Sequence, residues 1–339
     1  MNDVLLRALA GEPTPYTPVW FMRQAGRYQA EYRRLRERYT LPEIVREPEL
    51  AARVTLLPVQ NLGVDAAILF ADLTTPLPGM GVAVELVEGK GPVIGQPIRS
   101  RDDLGRLRPL EPERDVPFVL EAIRLLKKEL DVPLIAFAGA PFTLASYLVE
   151  GGASRRYLEV KRFLYHDPEG FARLLERLAE GMAAYLKAQA AAGADVLMVF
   201  DSWVGQLTRR DYRRHALPAT RRLFAELEAT GRPTLYFGTG AMHLLELMHQ
   251  AGPRALGIDA ATPLAWARER LGATPVQGNL DPAYLFAPKP RLLAEVDAIL
   301  EENMGRPGHV FNLGHGILPG TPEAQVRAVV ERVHERTGA

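Results

Sequence analysis

The chain has 339 residues, 47% hydrophobic and 24% charged, with 41 Lys and Arg against 41 Asp and Glu and no cysteine. Zero net charge leaves no basic excess for nucleic acid or an acidic membrane surface. The missing cysteine removes disulfides, thiolate zinc sites, iron–sulfur clusters and cysteine nucleophiles together.

In chain order, Met1–Gly11 mixes acidic and basic residues without a long apolar run, unlike a signal peptide. No stretch reaches the ~18 apolar residues of a membrane span. A cytoplasmic location is the expectation. Short apolar runs then recur at Val19–Met22, Ala66–Phe70, Leu134–Ala138, Val196–Phe200, Thr234–Phe237, Ala255–Ile258, Thr274–Gln277 and His309–Asn312. Continuous rather than alternating runs suit strands buried on both faces of a parallel sheet. Helical patterns fill the gaps, clearest over Val119–Glu129, Pro168–Ala191 and Pro322–Arg336. Asp167 and Thr321 are predicted N-caps, each followed by a proline suited to a first helical turn. Eightfold strand–helix alternation predicts a single-domain α/β (β/α)₈ barrel of the TIM type, spanning residues 1–339. One segment departs from it. Val82–Ile98 alternates around Glu88-Gly-Lys-Gly91 and predicts a β-hairpin inserted after the second strand.

Barrel active sites lie at the carboxyl ends of the strands. Polar residues and glycines follow each run: Arg23-Gln24-Ala25-Gly26-Arg27-Tyr28, Asp72, Gly139 to Thr143 leading to Tyr147, Asp201-Ser202-Trp203, Gly238-Thr239-Gly240, Asp259, Gly278-Asn279 and Gly314-His315-Gly316. Arg23 and Arg27 stand out. Guanidinium forks match carboxylate geometry, and Gly26 lets a ligand approach the backbone. The alternative for them is a solvated or structural pair. Asp72 can accept N–H hydrogen bonds, stabilise a cation or act as a base, or it can cap a helix or turn. Asp259 carries the same ambiguity. Tyr147 and Ser202 offer neutral hydrogen bonds, and a cap or turn competes for Ser202. His315 sits between glycines, which favours a ligand contact.

Several chemistries lack their parts. The sequence has no phosphate-binding P-loop, dinucleotide fingerprint, His-Glu-x-x-His zinc motif or Gly-x-Ser-x-Gly elbow. Lys90, Lys127, Lys128, Lys161, Lys187 and Lys289 fall in predicted helices or loops away from strand ends, which argues against Schiff-base chemistry. The scattered histidines form no metal set.

The segments PVWFMRQAGRY, LFADLTTPLPGMG, GAPFTLASYLVEGG, FDSWVGQL, FGTG, QGNLDP and FNLGHGILPGTP run in order along the chain. With them the sequence resembles the uroporphyrinogen decarboxylase family from end to end. PVWFMRQAGRY is the most specific segment, and FGTG alone would mean little. The resemblance implies a homodimeric barrel that removes CO₂ from the four acetates of uroporphyrinogen III without metal or organic cofactor. It implies that Arg23, Gln24, Ala25, Gly26 and Arg27 bind substrate, that Asp72 is the central carboxylate, and that Tyr147, Ser202 and His315 are further contacts. Asp72, Arg23 and Arg27 are the implied catalytic residues. Val204 departs from the small residue expected there. Two other readings compete. A corrinoid-to-thiol methyltransferase of the same barrel type would need cysteine zinc ligands, which this chain lacks. A non-catalytic tetrapyrrole carrier on the same scaffold is the other.

Overall fold

Seven of the eight predicted apolar runs form strands of one parallel sheet, in a computed structural model that describes residues 1–87 and 89–338. The strands are β1 (Ala67–Ile68), β4 (Leu134–Gly139), β5 (Val196–Asp201), β6 (Thr234–Gly238), β7 (Ala255–Gly257), β8 (Val276–Gln277) and β9 (His309–Val310), hydrogen-bonded in that order. Every neighbouring pair is parallel, with register fixed at Ile135↔Val196, Phe200↔Phe237 and Gly257↔Gln277. Helices occupy the connections. That covering explains why β4, read LIAFAG, is buried at every position. Trp20, Phe21, Phe142, Phe171, Tyr185 and Phe224 are among the largest side chains sealed in the core, each contributing about 1.5–3 kcal/mol or more by burial.

The first predicted strand, Val19–Met22, is not a ladder. It makes one parallel bridge, Val19↔Phe311. Side chains explain the shortfall. The Val19 N–H donates to Asp65 Oδ2 (2.8 Å), the Phe21 N–H to Gln24 Oε1 (3.0 Å) and the Met22 N–H to Asn312 Oδ1 (3.1 Å). Donors that a strand partner would have used are already satisfied. The segment still touches both sheet edges. Phe311 donates to the Pro18 carbonyl (2.8 Å) and Asp65 to that of Val19 (2.8 Å).

Asp65 is a junction. Besides Val19, it accepts from Tyr16 Oη (3.0 Å), Asn2 Nδ2 (3.3 Å) and His334 Nε2 (2.7 Å). His334 belongs to the helix Glu323–Thr337, so residues from both ends of the chain meet on one carboxylate.

Two further strands, β2 (Val84–Val87) and β3 (Gly91–Ile94), pair antiparallel with Val84 opposite Ile94 and Val87 opposite Gly91. Glu88, within the predicted turn, lies outside the described residues. β3 is fastened over the end of the helix Pro141–Glu150. Ile94 N–H donates to the Gly151 carbonyl (2.9 Å), and Val93 bridges Gly152.

The two predicted helix caps differ. Asp167 caps Pro168–Ala192 through the Gly170 N–H (2.9 Å). Thr321 caps nothing. Its hydroxyl donates back to the Leu318 carbonyl (2.8 Å), and Pro322 takes the capping position without a side-chain bond. Among the described residues, no helix is long and apolar enough to cross a membrane.

Candidate active site

The strand ends open into a cleft of about 620 Å³. Arg23, Ala25, Gly26, Arg27, Asp72, Tyr147, Ser202 and His315 all line it, so the structure brings together these sequence-predicted positions from four separate loops and the helix Pro141–Glu150. A second, outer groove between helices, edged by Glu31, Arg34, Glu49 and Arg53, lies away from the strand ends.

Gln24 does not join them. It is 0% exposed and serves as an internal strut. Its amide accepts from Phe21 and donates to the Ala66 carbonyl (2.9 Å), while its own carbonyl takes the Tyr28 hydroxyl (2.6 Å). These bonds fold the loop so that Arg23 adopts the left-handed region at φ 59, a conformation that is costly outside glycine. Gly316 completes the fit. A Cβ there would stand 2.4 Å from Arg23 Cδ, so a larger residue would push the Arg23 side chain out of its present place.

Among the described residues, neither the Arg23 nor the Arg27 guanidinium donates a hydrogen bond or joins an ion pair. Lys90, on the loop joining β2 to β3, also faces the cleft. Sequence reasoning set it aside as remote from the strand ends. The pairing of β2 with β3 carries it back over the mouth, a placement that a linear reading of strand ends does not see. Among the described residues, three cations therefore line the cleft with one carboxylate, Asp72.

Asp72 is held on one side only. Thr74 donates to Oδ1 from its backbone N–H (2.8 Å) and from its hydroxyl, and the Asp72 N–H donates to Thr75 Oγ1 (3.1 Å). Oδ2 has no hydrogen-bond partner among the described residues and is available to a ligand. Opposite stands Tyr147, whose pKa burial raises, with the Asp72 charge adding to the effect. A neutral phenol is therefore the form present near neutral pH.

Phe137, Phe200 and Phe237 make the floor, stacked edge to face at 5.5 and 6.1 Å. Trp203 meets Tyr147 at 5.9 Å. The signal for the floor was present as a phenylalanine near the end of each of three consecutive strands. The cleft thus combines an aromatic base, a cationic rim and the one-sided carboxylate of Asp72. Such a site suits a large, flat, polyanionic ligand whose centre is electron-poor or rich in N–H donors.

His315 has its proton placed by its neighbour. Nδ1 accepts the Gly316 N–H (2.8 Å), which leaves the hydrogen on Nε2. Burial lowers its pKa and the Arg23 charge lowers it further. Above its depressed pKa the ring is neutral, so it donates a hydrogen bond without serving as a charged acid. In a His315→Asn variant the acidic limb of the pH–rate profile is expected to stay in place while KM rises several-fold. A displaced limb would make His315 the titrating acid.

A model of the uroporphyrinogen decarboxylase family matches residues 1–336. The chain is 64% identical over 335 residues to uroporphyrinogen decarboxylase of Thermus thermophilus, covering 99% of this chain and 98% of that one. It is 53% identical over 337 residues to the Sorangium cellulosum enzyme of the same name, with 98% and 96% covered. A methyltransferase from Methanosarcina mazei superposes with TM-score 0.81 at 24% identity over 99% of this chain and 98% of that one. A B12-independent methionine synthase from a Shewanella species does so with TM-score 0.62 at 12% identity over 85% and 88%. Those two likenesses concern the fold. The match along the whole sequence concerns ancestry: the chain belongs to the uroporphyrinogen decarboxylase family.

Proposed function

We propose that the chain removes CO₂ from the four acetate side chains of uroporphyrinogen III to give coproporphyrinogen III, using the substrate's own pyrroles as electron sinks. The observation that carries this reading is the pairing, in one cleft, of Arg23 and Arg27, whose guanidiniums have no partner among the described residues, with Oδ2 of Asp72, which has none there either.

Loss of CO₂ leaves an electron pair that needs a destination. Protonation of the pyrrole ring carbon next to the acetate-bearing carbon places positive charge on the ring nitrogen. The bond to CO₂ then breaks into that system and gives an exocyclic methylene. A proton adds to the methylene, one leaves the ring carbon, and a methyl group remains. One proton is consumed for each CO₂ released. The sink is within the substrate, so the step calls for no cofactor.

Asp72 accepts the pyrrole N–H groups through Oδ2, and its attraction grows as the ring becomes cationic. That is stabilisation greater in the transition state than in the ground state. Arg23, Arg27 and Lys90 hold peripheral carboxylates. Ala25 and Gly26 offer close backbone approach, and Tyr147, Ser202 and His315 supply neutral hydrogen bonds. Arginine, with a pKa above ~12, is a poor acid at neutral pH. A substrate carboxyl group held beside it is the better proton source.

The same reading takes the whole chain as one domain. The Val19 segment closes the sheet as the eighth member of a barrel, and β2–β3 is a hairpin inserted after the second barrel strand. It includes a homodimer and a cytoplasmic location, as suits a biosynthetic enzyme. Anaerobic incubation with uroporphyrinogen III tests the function, with release of four CO₂ per macrocycle expected. Tight binding without release would instead make the protein a tetrapyrrole carrier and overturn the proposal.

A further inference from the structure

Behind the cleft wall, on the face of the sheet turned away from Phe200, lies a group to which the reaction above gives no task. Asp201 ends β5 and is 0% exposed. Its neighbours Phe200 and Ser202 both line the cleft. Oδ1 accepts from Thr143 Oγ1 (2.6 Å) and Oδ2 from Tyr236 Oη (2.7 Å). The Thr143 hydroxyl in turn accepts the Trp203 backbone N–H (3.1 Å). Thr143 and Tyr147 lie one turn apart on the helix Pro141–Glu150.

We propose that Asp201 is a positioning residue of the active site, which in its ionised form directs the Thr143 hydroxyl and thereby fixes the wall made by Ser202, Trp203 and Tyr147. The proposal rests on the decarboxylase reading of this cleft. Its logic is one of donors and acceptors. An ionised carboxylate only accepts, and a hydroxyl has a single proton to give. Thr143 and Tyr236 must therefore both point their protons at Asp201. Thr143 is left with lone pairs alone on its other side, where the Trp203 N–H arrives. Protonation of Asp201 turns one oxygen into a donor. The hydroxyl facing that oxygen must then turn its proton away, Tyr236 toward the Tyr212 hydroxyl or Thr143 out of the relay, and either turn loosens the relay.

The groups facing Asp201 are Thr143 from its helix, Tyr236 from β6 and, behind Tyr236, Tyr212 with its hydroxyl 3.3 Å away. Arg221 acts on Tyr212 rather than on the carboxyl. Among the described residues, no Lys, Arg or His pairs with Asp201. Burial accordingly raises its pKa from 3.8 to about 6, partly offset by the two hydroxyl bonds and by the Thr143 backbone N–H. A carboxyl raised by folding favours the folded state below its unfolded pKa and loses that advantage as pH climbs through about 6. Above that pH the fold keeps an unpaired buried charge at a cost to stability. Such a violation of ordinary packing rules marks a functional position.

Asp201→Asn, nearly isosteric and uncharged, is expected to abolish the acidic limb near pH 6 in kcat/KM. It should also lower kcat/KM at alkaline pH by about tenfold, as for loss of one hydrogen bond to a charged group. Tyr236→Phe deletes a bond that stabilises the carboxylate, so the limb should move to higher pH. Trp203 emission, taken as the difference between the parent protein and Trp203→Phe, should titrate with the same midpoint before any substrate is added. That readout tests the relay independently of CO₂ release, and with Tyr236→Phe it decides the matter should Asp201→Asn not fold. A folded Asp201→Asn protein that retains the limb would overturn the proposal. So would a limb unmoved by Tyr236→Phe, or Trp203 emission without a transition.

Discussion

Asp72→Asn should lower kcat by about 10²–10³, as for removal of one preorganised electrostatic group, while leaving the protein folded. The substitution is nearly isosteric. The asparagine carbonyl can still take both Thr74 bonds, so the loop after β1 keeps its shape. The atom presented to the substrate changes most. An oxygen that accepted N–H groups becomes an NH₂ that meets them donor to donor. The fixed negative charge that would grow more favourable as the pyrrole becomes cationic is lost as well. KM should change less than kcat, because much of the binding energy sits on the cationic rim. Single-turnover CO₂ release, alongside a thermal melt, checks both parts. A folded Asp72→Asn protein with near-normal turnover would remove Asp72 from the mechanism.

The second large effect belongs to the rim. Arg23→Ala and Arg27→Ala should each reduce kcat/KM by about 10- to 150-fold, the equivalent of roughly 1.5–3 kcal/mol for one charge-assisted hydrogen bond. Stability should barely change, because neither guanidinium has a partner among the described residues. That combination separates a binding role from a structural one. Arg23→Lys should recover little, since a point charge lacks the planar fork that matches a carboxylate. Salt supplies an independent readout. KM of the parent protein should rise with ionic strength, and each lost arginine should flatten that dependence. Variants with unaltered KM and salt response would assign carboxylate binding elsewhere.

The sequence made β4, β5 and β6 readable because their side chains are buried on both faces, so apolar runs map directly onto strands. Val19–Met22 misled for a physical reason. It is apolar and buried, yet Asp65, Gln24 and Asn312 satisfy its N–H groups from elsewhere in the chain. Periodicity reports burial and is silent on which acceptor a backbone donor finds. The same limit hid the role of Gln24, an internal brace within a segment of otherwise cleft-lining residues. Lys90 was missed because strand pairing, not sequence distance, brings it to the mouth. In the sequence Asp201 is one more polar residue after an apolar run. Only the convergence of Thr143 and Tyr236 reveals a buried charge there. The residues on the cleft wall were legible because they follow strand ends, and their supports were not, because those are set by contacts between distant loops.

The double attachment of the Val19 segment also bears on how the chain acquires its shape. Met22 and Asn312 are bonded across 290 positions, and His334 reaches Asp65 across 269. During synthesis from the N-terminus, the β1 side of this segment can dock early, but its other side waits until Phe311 has been made. Until then the growing sheet has an exposed edge of unpaired backbone groups. Completion of the cleft, whose wall takes His315 and Gly316 from beyond Phe311, is therefore a late event that depends on contacts of very long range. A cleft that forms only at that stage cannot act on its ligand before almost the entire polypeptide exists.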